Sequence, residues 1–149
     1  MNRRINLNDK LKRHILYVDI QQLTLLTQRI LFDYKVLAEL VYSRGVLTID
    51  SLVHQSIYLV PYYAANNKSH MDESIHSLIE IITETLPEYN DDAIFSQLQT
   101  EIFQAFDLLT GTAYKIIQKS IMDRTGLLPS LDVVSIVPQN IRLVEVIFE

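Results

Sequence analysis

Apolar residues recur along the first third of the chain at helical spacing. Leu23, Leu26, Ile30, Leu37 and Leu40 follow one another at intervals of three, four and seven, so one face of a helix collects them all. Leu25, Phe32, Val36 and Val41 widen the stripe beyond a coiled-coil seam. The pattern predicts one helix from about residue 19 to 44, closed by Gly45 as a left-handed cap. A helix apolar over so much of its circumference is expected at the centre of its bundle.

Three further helices are predicted. The second starts at Thr48, whose hydroxyl can cap free amides, with Asp50 in the first turn and Leu52, Val53, Ile57 and Val60 inward. It runs into Pro61, and residues 61–67 read as a loop or a kinked end, with Tyr62 and Tyr63 as a contact surface. The third opens on Ser69 ahead of Asp72 and Glu73, carries Ile75, Leu78, Ile79, Ile82 and Leu86 inward, and stops at Pro87. The fourth is capped by Asn90, has Asp91 and Asp92 at its positive end, and buries Phe95, Leu98, Ile102, Phe106, Leu109, Ala113 and Ile116. It is expected to end near Arg124, with Gly126 and Pro129 beyond. Gly111 between two threonines marks either a kink or a close helix contact.

The pattern changes after Pro129. Segments 131–137 and 141–148 are β-branched and flank the turn signal Pro138-Gln139-Asn140. They read as a β-hairpin or as two extended arms, and Ile15-Leu16-Tyr17-Val18 is the one other stretch of strand character. An isolated hairpin is marginal in water. The strands therefore need either a sheet within the chain or strand addition between subunits. Residues 141–148 carry apolar groups on both faces, interrupted by Arg142 and Glu145, which suits a strand covered on both sides. Ile141, Leu143, Val144, Val146, Ile147 and Phe148, with Tyr62 and Tyr63, are the candidate partner-binding residues.

The predicted fold is thus mainly α: a four-helix bundle-like body over 19–126, a basic N-terminal arm over 1–18, and a C-terminal β-hairpin or extended arm over 127–149. Composition agrees with one globular core: 149 residues, 48% hydrophobic, 21% charged, with three glycines and four prolines to break the chain. The absence of cysteine removes disulfides, thiolate metal sites and a thiol nucleophile. Segment 20–42 is the most hydrophobic, but Arg29, Asp33, Lys35 and Glu39 make a membrane span costly. Met1-Asn2-Arg3-Arg4 lacks the apolar stretch that a signal peptide needs. A cytoplasmic or virion location is expected.

Charge is divided along the chain. Arg3, Arg4, Lys10, Lys12 and Arg13 crowd the N-terminus, whereas 69–114 holds nine Asp and Glu and no Lys or Arg. The basic arm is a candidate nucleic-acid contact through phosphates. A helix-turn-helix around Gly45 is conceivable, yet its second helix offers only Asp50, His54 and Gln55 as polar readers. Glu73 and His76 have the Glu-x-x-His spacing of di-metal helical bundles, with His70 and Asp72 nearby, but the second copy such a site requires is missing. Adjacent Asp91 and Asp92 point about 100° apart on a helix and do not converge. Neither a Gly-x-Ser-x-Gly elbow nor a phosphate-cradling glycine loop occurs. These features lead to the expectation of a non-enzymatic structural or interaction subunit, without cofactor or metal, in a homo-oligomer or larger assembly such as a virion connector or adaptor. The alternative is a small regulator or inhibitor that binds a protein or nucleic acid.

Overall fold

The computed structural model describes residues 12–17, 20–125, 132–136 and 143–148. These are mainly helical. The helices are α1 (Ile20–Leu31), α2 (Lys35–Tyr42), α3 (Ile49–Tyr58), α4 (Val60–Ala64), α5 (Lys68–Thr85) and α6 (Asp92–Thr125), with a 3-10 turn at Pro87–Asn90. Three strands accompany them: β1 (Lys12–Tyr17), β2 (Asp132–Ile136) and β3 (Leu143–Phe148).

The central helix is α6, not the first one. Its 34 residues span about 51 Å at 1.5 Å per residue, and each of the other helices packs against it. Leu98, Ile102, Ala105, Phe106, Leu109, Ala113 and Ile117 are buried along it at spacings of three and four. Ile117 takes the place expected for Ile116, which is only half-buried. Two apolar clusters share this helix. One joins α2, α3 and α5 to its first half around Leu37, Leu52, Ile79 and Phe106. The other joins α1, α3 and α4 to its second half around Leu23, Ile57, Val60 and Ala113.

The single helix expected over 19–44 is two helices. The amides of Phe32, Asp33 and Tyr34 donate to carbonyls three residues back, at Arg29, Ile30 and Leu31, which tightens the chain into a turn. Tyr34 is then extended, and the chain restarts as α2 at Lys35. Amides freed by that break find a partner far away in sequence. The N–H groups of Val36 and Leu37 donate to Oε1 of Glu101 on α6, at 2.8 and 3.3 Å. Gly45 adopts φ +64°, as expected, although α2 itself stops at Tyr42.

Local chemistry sets the remaining boundaries. Thr48 and Ser51 form a reciprocal capping box on α3. Pro61 has no N–H to extend that helix, so the chain pivots at Leu59 and starts α4 with Pro61 in its first turn. Residues 61–64 of the stretch expected as a loop or a kinked end are therefore helical. Asn67, rather than Ser69, caps α5 by accepting the His70 amide, and Ser69 falls inside the helix. Asn90 belongs to the 3-10 turn, and Asp91 performs the capping at α6 by accepting the Ala93 amide at 3.2 Å. The Arg44 guanidinium pairs with the Glu88 carboxylate, tying the Gly45 loop to that turn. Together with the amide of Glu88 itself, this pairing holds the carboxyl below its usual range.

The strands form an antiparallel sheet in the order β1-β3-β2. Lys12 lies opposite Phe148 and Tyr17 opposite Leu143, while Ile136 faces Val144 with an irregularity between Val133 and Ser135. β2 runs beside α3 and α4, and β1 beside α6. No helix among the described residues is long and apolar enough to cross a membrane.

Candidate partner-binding site

The two tyrosines singled out by the sequence sit on the short helix α4. Neighbours on a helix diverge by about 100°, so the rings reach different supports. Tyr62 stacks on the imidazole of His70 with centroids 3.6 Å apart and planes 16° from parallel. Tyr58 tilts against both rings, 6.0 Å from Tyr62 and 6.3 Å from His70. Tyr63 lies over Gly111 on α6, where a Cβ would come within 3.1 Å of its hydroxyl oxygen. Its ring also tilts against Tyr114 at 5.4 Å. Gly111 thus serves a close helix contact, and α6 continues through it.

Between α4, α5 and α6, Tyr62 and Tyr63 line a cleft of about 600 Å³, within the range of about 300–1,000 Å³ typical of ligand pockets. Met71 and Ile75 are buried and Phe103 half-buried, forming its apolar depth. Asp72 is half-buried, while Asp107, Lys68, Asn66 and Gln104 are exposed at the mouth. Neither Asp72 nor Asp107 has an ion-pair partner among the described residues.

Other sequence candidates fall elsewhere. Leu143, Val144, Val146, Ile147 and Phe148 form β3, the middle strand of the sheet, with Lys12 and Arg13 opposite Phe148 and Ile147 on β1. Ile141, Arg3, Arg4 and Lys10 lie outside the described residues. Glu73 and His76 are both exposed, and the His76 ring meets the Phe103 ring edge-on at 5.1 Å.

Sequence reasoning missed Asp72 and Asp107 as cleft residues because they come from different helices. A weak signal was present nonetheless. Phe103 and Asp107 are four apart on α6, beside the buried stripe, so an aromatic ring and a carboxylate share one helix face. Comparison with known proteins adds nothing to this geometry: no family model, no curated protein and no solved structure matches the chain.

Proposed function

We propose that the chain is a non-enzymatic structural or interaction subunit of a multi-chain assembly, with a virion part such as a connector or adaptor as the specific case. The observation that carries this reading is the order of the sheet. β3 has strand neighbours on both sides, so its backbone groups are paired within the chain. β1 and β2 have a neighbour on one side only among the described residues. Each therefore offers a row of N–H and C=O groups, which is a template for strand addition by another chain. In this reading the docking edges are β1 and β2 rather than β3.

Apolar exposure supports the same reading. Phe32, in the turn after α1, is 81% exposed and Leu25 on α1 is 65% exposed. Large apolar side chains held in water suit a surface that a partner covers. The virion case rests on analogy of architecture, since helical bodies with strands shared between subunits recur in such particles.

The test is the mass of the full chain in solution, measured by light scattering across a dilution series. A discrete oligomer that dissociates on dilution is expected. A monomer at every concentration would count against the proposal.

A further inference from the structure

We propose that the cleft between α4, α5 and α6 seats an arginine side chain carried by a basic segment of a partner chain. The inference rests on reading the protein as an interaction subunit and adds the chemistry of what it grips.

Three features of the cleft converge on a guanidinium. Its lining includes the aromatic rings of Tyr62, Tyr63 and Phe103. A planar, delocalised and weakly hydrated cation stacks on such rings, and arginine does so better than the compact ammonium of lysine. Both tyrosines are already positioned, Tyr62 by His70 and Tyr63 by its seat over Gly111 and its contact with Tyr114. Side chains fixed in advance lose little freedom when a ligand arrives.

Charge supplies the second argument. Asp72 from α5 and Asp107 from α6 stand at the cleft with no ion-pair partner among the described residues. Among the described residues Lys68 is the one cation lining it, so two carboxylates face one ammonium. The surrounding stretch 69–114 adds further carboxylates and no Lys or Arg. A low-dielectric cleft in such a stretch concentrates negative potential and draws in a basic segment.

Shape supplies the third. The apolar depth formed by Met71 and Ile75 suits the three methylenes of an arginine stem, while the carboxylates higher up can accept its N–H groups. An apolar peptide would leave both carboxylates facing a hydrophobic ligand, which costs desolvation with no return.

The experiment is calorimetric titration of the full chain with a short peptide holding two central arginines. The same peptide with lysines, and again with citrullines, provides the comparison. Saturable binding is expected, strongest for arginine and at least about tenfold weaker for citrulline, which keeps the shape but loses the charge. Asp72→Asn combined with Asp107→Asn should weaken arginine binding by about tenfold or more, with its thermal unfolding checked alongside. Tyr62→Phe, which keeps a ring, should bind within about threefold of the parent, whereas Tyr62→Leu should bind more weakly. Absence of saturation, equal binding of the citrulline peptide, or unchanged affinity in the double carboxylate variant overturns the proposal. An oligomeric chain indifferent to the arginine peptide would sink this inference alone. A monomeric chain that binds it would sink only the edge-pairing reading.

Discussion

Oε1 of Glu101 lies 2.8 Å from the backbone nitrogen of Val36, a hydrogen bond that spans 65 residues of sequence. It places a carboxylate at the positive end of α2, where Tyr34 offers no side-chain cap of its own. Glu101 is only 8% exposed, so this cap operates away from bulk water, and one carboxylate satisfies two amides. The same contact fixes α2 against the central helix.

Removing that acceptor should therefore cost more than removing an exposed cap. Glu101→Ala is expected to lower the unfolding free energy by about 2 kcal/mol, the sum of a lost cap and unsatisfied buried amides. Glu101→Gln keeps an acceptor oxygen and should lose about half as much or less. Urea denaturation of the two variants compares them directly. Equal losses would mean that the negative charge of Glu101, rather than its acceptor oxygen or its packing, is what the fold requires.

The position of Gly111 sets a second test. A methyl group there gains helix propensity of about 1 kcal/mol, but it meets the Tyr63 hydroxyl at 3.1 Å. Gly111→Ala alone should be close to neutral, with the two effects offsetting each other. Tyr63→Phe removes the obstructing oxygen and leaves the ring carbon as the nearest atom, at 3.4 Å. In that background Gly111→Ala should stabilise by about 0.5–1 kcal/mol. A thermal-unfolding double-mutant cycle with no coupling would contradict the contact.

What the sequence revealed was local. Thr48 as a cap, Gly45 as a left-handed residue, Pro87 as a stop and the stripe from Leu98 to Ala113 all act within a few residues of themselves. The break after Leu31 was hidden because no glycine or proline marks it, and the group that stabilises the new helix start lies on α6. Ser69 looked like a cap because it precedes two acids, yet Asn67 had the better geometry two residues earlier. The tyrosine pair was visible as a feature, while its cleft was not. Asp72 and Asp107 are brought together only by helix packing.

Alkaline pH should weaken the fold through two tyrosines. Burial is the main cause that pushes Tyr34 above the ordinary 10.0, followed by the negative charges of Asp33, Glu101 and Asp107. Burial likewise raises Tyr89, followed by the charge of Glu39 and a hydrogen bond to it. With the folded-state values raised, the folded chain holds its phenolic protons more tightly than the unfolded one. Their contribution is then fully present below the unfolded value and is lost as pH rises through the folded values. Unfolding free energy should be level approaching 10.0 and decline above it, with a shallower decline in Tyr34→Phe and in Tyr89→Phe. Parallel curves for parent and variants would remove the tyrosines as the cause.

Phe32 separates folding from association. Because 81% of it is exposed, Phe32→Ser should change the unfolding free energy by no more than about 0.5 kcal/mol. Its effect should appear in the dilution series, as dissociation at higher protein concentration than the parent. A large loss of stability with unaltered association would assign Phe32 to the chain's own core.

Residue-resolved amide hydrogen exchange, recorded at low and at high protein concentration, tests the assembly directly. Amides of β1 and β2 left unpaired by β3 should gain protection as concentration rises, while those of the buried stretch of α6 stay unchanged. Identical exchange of β1 and β2 at both concentrations would contradict strand addition as the means by which the chain associates.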